Sequence, residues 1–340
     1  MREFVRGVAW WTEDGRVVRA DPADRERLPA DTWERAGLPA GVRLEFTARG
    51  VSALEITYTA SPPSATDAYR DVPAVFTLLA GEDAVDTPAS PGEHRTLVHL
   101  PCPDGDFTLH LPETLRPALH GVRPVDGTLT PTAPRPRWLV YGDSIAEGWS
   151  VSRPHLAWPA LAGRVLGVET VNLGYAGAAR GELASAEQLA SLEADLLTVA
   201  FGTNCWSRTP HSAGLLYETT RSFLDLVRRG HPDVPLLVVS PVVRPDAETT
   251  PNALGATLAD LRSAMERAAL EAGAALLPGG KLLDAGHLVD GIHPGDEGHG
   301  LLAKAVASAL PGGAPRKGAG NCATSHGQPA DERRSSPRSD

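Results

Sequence analysis

Through the first 130 residues, apolar and polar side chains alternate in short runs. Val42-Arg43-Leu44-Glu45-Phe46, Leu54-Glu55-Ile56-Thr57-Tyr58 and Phe107-Thr108-Leu109-His110-Leu111 each place apolar groups on one face and polar groups on the other. A period of two predicts half-buried strands. Residues 75–79 and 96–100 read as further strands, and 31–36 as one short helix. Pro62-Pro63, Pro91-Gly92 and Asp104-Gly105 punctuate the runs as turns. Several short strands with no strong helical pattern predict a β-sandwich over 1–130.

Pro131-Thr132-Ala133-Pro134-Arg135-Pro136 then reads as a linker, 131–136. Beyond it the pattern changes. Continuous apolar runs at 138–141, 170–173, 196–201 and 236–240 alternate with helical patterns at 158–166, 183–192, 213–229, 254–272 and 300–310. Buried strands alternating with amphipathic helices predict an α/β domain over 137–312, its parallel sheet covered on both faces. The Gly-, Pro-, Ser- and Arg-rich residues 313–340 have too little apolar content for a core and are expected to form a disordered tail.

Bulk properties narrow the partners. The 340 residues suffice for two domains, and the net charge of −10 argues against a nucleic-acid partner. Met1-Arg2-Glu3-Phe4-Val5-Arg6 has no room for the apolar stretch of a signal peptide. No run approaches the roughly 20 apolar residues of a membrane span. A cytoplasmic protein with no membrane partner is expected. Cys102, Cys205 and Cys322 have neither the number nor the spacing of a disulfide framework or a zinc site, which fits a reducing compartment. The sequence does not reveal an oligomeric state.

The chemistry concentrates at strand ends. Gly142-Asp143-Ser144-Ile145 directly follows the first buried run. Ligands of open parallel sheets bind outside the carboxyl ends of the strands, so Ser144 is a candidate nucleophile. A serine needs a base, and a histidine serves as one when a carboxylate holds its other nitrogen. Asp290-Gly291-Ile292-His293-Pro294 offers such a pair within one turn. The same Asp-x-x-His spacing recurs at Asp284/His287 and Asp296/His299. Asp296 reads as the N-cap of the last helix, and His299 as a residue of its first turn. The middle pair is preferred, and a metal site built from the three histidines is the alternative. Asn172-Leu173-Gly174-Tyr175-Ala176-Gly177 and Gly202-Thr203-Asn204 supply amide donors suited to an oxyanion.

Taken in order, these segments resemble the blocks of the SGNH (GDSL-like) hydrolases. Block I matches Gly142-Asp143-Ser144-Ile145, block II Asn172-Leu173-Gly174, block III Gly202-Thr203-Asn204 and block V Asp290-Gly291-Ile292-His293-Pro294. Two positions depart from the pattern: Ile145 stands where Leu is usual, and Cys205 where many members carry Asp. The resemblance implies a three-layer α/β/α fold on a flavodoxin-like sheet. It implies Ser144 as nucleophile, His293 as base and Asp290 as its orienting carboxylate. The Ser144 and Gly174 N–H groups and the Asn204 side chain would form the oxyanion hole, with no cofactor or metal. Joined to a β-rich first half, the chain also resembles two-domain members that include carbohydrate esterases with a jelly-roll domain and acyltransferases of polyketide tailoring. A small-molecule or carbohydrate ester is the expected substrate.

Side chains near these blocks are substrate-pocket candidates: Trp149, Arg153, His155 and Trp158 after the serine, and Trp206, Arg208 and His211 after the asparagine. Trp149 and Trp206 are the two singled out. Trp10, Trp11 and Trp33 read as core or interdomain packing, with a sugar platform as the alternative.

Overall fold

The computed structural model of the chain describes residues 1–65, 67 and 72–311. The expected tail, 313–340, lies outside the described residues. Strands β1 (Val5–Arg6), β2 (Trp10–Trp11), β3 (Val17–Val18), β4 (Arg43–Arg49), β5 (Ala53–Ala60), β6 (Val75–Ala80), β7 (Asp83–Pro88), β8 (Gly92–His99), β9 (Gly105–His110), β10 (Ala118–Val125) and β11 (Thr128–Pro131) build the first half, with helix α1 (Ala30–Ala36) between β3 and β4. One antiparallel sheet runs β1-β4-β9-β6-β7, with β11 also on β4, and a second runs β10-β5-β8. Leu44, Phe46 and Phe107 from the first sheet meet Leu54, Ile56 and Tyr58 from the second in one buried cluster. This is the sandwich that the alternation predicts, because a sheet with one apolar face must bury it against another.

Three features depart from the sequence reading. The first half of β4's polar face does not meet water: Arg43 and Glu45 are buried, paired with each other at 2.7 Å, and joined by Arg135 of the linker. Arg43 also donates to the Thr170 carbonyl at 3.2 Å, so this face lies against the second half of the chain. The first 40 residues are also not all sandwich. Val18, Ala20, Leu28 and Ala36 belong to the core cluster of the second half, and Trp10 and Trp33 pack against it. Trp11 instead packs on the sandwich core, under the Arg2 guanidinium. A stretch from about residue 9 to 40, carrying β2, β3 and α1, is thus an arm laid on the neighbouring domain. The linker is shorter than expected, since β11 keeps Pro131 opposite Phe46 of β4.

The second half contains β12 (Arg137–Gly142), α2 (Ser144–Glu147), α3 (Trp158–Leu166), β13 (Glu169–Gly174), α4 (Leu183–Ser191), β14 (Leu196–Ala200), α5 (Ala213–Gly230), β15 (Leu236–Val239), α6 (Leu258–Glu271), β16 (Ala275–Leu277) and α7 (Asp296–Ala309). The five strands are parallel, in the order β13-β12-β14-β15-β16. Central β12 shows why its run is continuous. Trp138 and Val140 face the layer of α3 and α7, while Leu139 and Tyr141 face the layer that holds Leu216 and Phe223 of α5. The order reverses at β12, and the crevice at such a reversal is where open sheets bind ligands. Helix α6 begins at Leu258 rather than 254 because Thr257 and Asp260 form a capping box. Among the described residues no helix is long and apolar enough to cross a membrane. Cys205 is a buried free thiol.

Candidate active site

Strand β12 ends at Gly142, where a Cβ would lie 2.4 Å from the Ala200 carbonyl oxygen, so only glycine lets β12 and β14 close here. Asp143 then caps α2, its carboxylate accepting from the Ile145 N–H at 3.0 Å. Burial pushes the Asp143 carboxyl up to about 6, against hydrogen bonds from Ile145 and from the backbone and side chain of Thr203. The same side chain therefore ties the serine turn to the Asn204 turn. Ser144 sits at the first position of α2, its N–H free of any helical partner.

Across the crevice the segment 288–294 closes on itself. Val289 N–H donates to the His293 carbonyl at 2.8 Å, and Gly291 takes a left-handed φ of 79°. Asp290 Oδ1 accepts from the Ile292 and His293 N–H groups at 3.0 and 2.8 Å, and Oδ2 lies 2.7 Å from His293 Nδ1. The other ring nitrogen, Nε2, lies 2.8 Å from Ser144 Oγ. Partial burial would raise the Asp290 carboxyl, but the hydrogen bonds from His293 outweigh it and hold it below its ordinary value. The carboxylate thus stays ionised and fixes the ring so that Nε2 faces the serine.

The other two Asp-x-x-His pairs serve elsewhere. His287 Nδ1 lies 3.0 Å from Asp284 in a single 3-10 turn. Asp296 is not the cap of α7, a place taken by Gly295. Its carboxylate accepts from Ser152 N–H at 2.8 Å and Ser152 Oγ at 2.6 Å. His299 is fully buried, its Nδ1 accepting from Trp158 N–H at 3.1 Å and its Nε2 facing the Trp149 carbonyl at 3.4 Å. Burial pushes its pKa down to about 4, so it is neutral near pH 7. Together these two residues of α7 pin the loop after the nucleophile.

Of the proposed oxyanion donors, Gly174 is misplaced. Its N–H donates to Asn172 Oδ1 at 2.8 Å, and a Cβ there would strike the backbone of Ala146 and Glu147. Asn172 also donates to the Ala146 carbonyl at 2.8 Å, so this pair clamps α2 to β13 instead of facing a substrate. Gly177 lines the cleft beside Ser144 and Asn204, in a left-handed turn with φ of 70°. Asn204 donates one amide proton to the Ala179 carbonyl at 3.1 Å, which leaves the other available. The sequence carried the signal for Gly177 in the same glycine turn, but spacing alone does not say which amide points outward.

The cleft has a volume of about 120 Å³. Trp149 forms one wall, its ring 5.7 Å from the His293 ring. Trp206 does not reach the cleft: its Nε1 donates to the Thr250 carbonyl at 2.9 Å, and it backs Arg244, whose guanidinium stacks on it at 4.8 Å. Arg153 pairs with Asp86 of β7 at 2.6 Å, and Trp158, His155 and His211 are buried. Burial pushes the Cys205 thiol up, as suits a packing residue.

The arm supplies a support that the sequence did not reveal. Arg19 and Arg35 both pair with Glu147, the last residue of α2, and all three are buried. Arg19 also donates to the Gly174 carbonyl, and Arg35 pairs with Asp67 at 2.7 Å. Glu147 in turn accepts from Ala176 N–H at 3.1 Å, one residue before Gly177. The glycine turn is thus held from the N-terminal side.

Residues 140–301 match the GDSL-like lipase/acylhydrolase family. Among solved structures, a salicylyl-acyltransferase from a tetracycline biosynthetic pathway is similar, at 24% identity over 90% of this chain and 93% of that one, with a TM-score of 0.77. A candidate GDSL-like lipase from Bacteroides ovatus is similar at 22% identity over 88% and 92%, with a TM-score of 0.71. A family two carbohydrate esterase from Clostridium thermocellum, in complex with cellohexaose, gives 14% identity over 78% and 90%, with a TM-score of 0.59. These likenesses establish a shared two-part fold. Among curated protein sequences none matches.

Proposed function

We propose that this chain, whose residues 140–301 match the GDSL-like lipase/acylhydrolase family, is a carboxylic ester hydrolase working through an acyl-enzyme on Ser144. The observation that carries the reading is the continuous relay from Asp290 Oδ2 through His293 to Ser144 Oγ, with contacts of 2.7 and 2.8 Å. Ser144 Oγ attacks the ester carbonyl while His293 Nε2 takes its proton. The negative charge on the carbonyl oxygen meets the Ser144 and Gly177 N–H groups and the Asn204 amide. Collapse breaks the ester bond, and His293 returns the proton to the departing alkoxide. Water, deprotonated by His293, then releases the acid and restores the serine. At about 120 Å³ the cleft falls well below the roughly 300–1,000 Å³ of drug-sized pockets, which favours a short acyl group on a small-molecule or carbohydrate alcohol.

Acyl transfer is the second reading, favoured by the likeness over 90% of the chain to a salicylyl-acyltransferase. The acyl-enzyme would be the same, with an alcohol in place of water.

The test is turnover of p-nitrophenyl acetate and butyrate by wild type and Ser144→Ala, with a fluorophosphonate label located by mass. The expected result is labelling at Ser144 and a loss of at least roughly 10³-fold in kcat in the variant, with its melting temperature retained. Hydrolysis that survives Ser144→Ala would overturn the proposal. Added alcohols that divert the acyl group from water would favour the transferase reading.

A further inference from the structure

The catalytic cleft is charged against the molecule. The chain as a whole carries −10, yet two arginines, Arg208 and Arg244, line the cleft and no carboxylate does. Arg244 is neutralised: it forms a two-point pair with Asp246 at 2.9 and 3.0 Å and lies on the Trp206 ring. Asp290, behind His293, has both oxygens engaged by the Ile292 and His293 groups. Arg208 is different. It is exposed and makes no hydrogen bond or ion pair with another described residue. Its guanidinium stands 3.7 Å from where a Cβ on Gly177 would be, directly over the turn assigned to the oxyanion. Ser207, beside it in the cleft, is held by Arg244 at 3.3 Å.

We propose that the ester this enzyme takes carries a carboxylate, and that Arg208 is the residue that selects it. A guanidinium offers a planar fork of donors that matches a carboxylate at two points. One uncompensated positive charge answers a monoanion better than a dianion, and the Ser207 hydroxyl can supply a further donor. The inference rests on Ser144 being the nucleophile of this cleft.

Binding and turnover test it separately. Two matched pairs place the charge on either side of the ester: 4-acetoxybenzoate against its methyl ester for the alcohol side, and the 4-nitrophenyl monoester of glutaric acid against its methyl ester for the acyl side. Calorimetric titration of Ser144→Ala with each compound is expected to show roughly tenfold tighter binding of the anion in one pair. Ser144→Ala/Arg208→Gln should lose that preference while binding the neutral partner as before, and Arg208→Lys should keep part of it. In the enzyme with Ser144 intact, Arg208→Gln should raise KM for the anion roughly tenfold more than for its neutral partner. Equal affinity for anion and neutral partner in both pairs, or a preference that survives Arg208→Gln, would overturn the inference. Preferential binding of the anion without any Ser144-dependent hydrolysis would instead count against the esterase reading alone.

Discussion

Gly174 and Gly177 stand three residues apart and serve opposite ends. The first lets α2 approach β13, with its amide turned inward to Asn172; the second lines Ser144's cleft. Gly174→Ala would set a Cβ 2.4 Å from the Glu147 nitrogen and should destabilise the fold by about 2 kcal/mol or more. Gly177→Ala, strained only by its left-handed φ, should cost about 1 kcal/mol and act chiefly on kcat. Thermal melts beside kcat and KM for both variants check the pair; equal kcat losses without a stability difference would contradict it. The histidines divide likewise. His299→Ala should cost about 2–3 kcal/mol and lower kcat through the Trp149 loop, whereas His287→Ala should stay near wild type in both. An Asp-x-x-His repeat does not show in the sequence that one of its histidines is buried. Ser144 and the Asp290–His293 pair were legible for the converse reason. One follows a buried strand directly, and the other two meet within a single turn.

At the scale of elements, legibility followed burial pattern. Strands with alternating or continuous apolar runs were readable. Strand β7 was not, since it lies at a sheet edge with almost every residue exposed, and neither was the three-residue β16. The ionic grip of the arm left no trace in the sequence because its partners are remote: Arg19 and Gly174 are 155 residues apart. Its grip on α2 makes a definite prediction. Arg35→Ala leaves Glu147 short of a partner in a buried site, and removing one member of such a pair costs about 3–5 kcal/mol. A fall in kcat larger than any change in KM should accompany the lower melting temperature, since the turn bearing Gly177 loses its brace. Stability lost with kcat intact would reduce the arm to packing.

For the whole molecule the two halves are joined by buried charge as well as by apolar contact. Burial would raise the Glu45 carboxyl, but Arg43 and Arg135 outweigh it and hold it at about 2, below its ordinary 4.5. A carboxyl with a depressed folded value stabilises fully above its unfolded value and loses that contribution as pH falls through the folded one. Urea midpoints of the wild type should therefore drop between about pH 4.5 and 2. Glu45→Gln should be less stable near pH 7 and flatter in that window; an equally steep fall in the variant would place the acid sensitivity elsewhere.

The arm also has a meaning in the life of a nascent chain. Its residues precede every strand of the parallel sheet, so they leave the ribosome before the Gly174 carbonyl and the Glu147 carboxylate that they will hold. Val18, Ala20, Leu28 and Trp33 must wait with their apolar surface uncovered, as clients for chaperones. His293 arrives near the end of the sheet domain, and with it the relay to Ser144. Reactivity is therefore withheld from products of translation that stop before His293, and a labelled serine would certify a chain made at least that far.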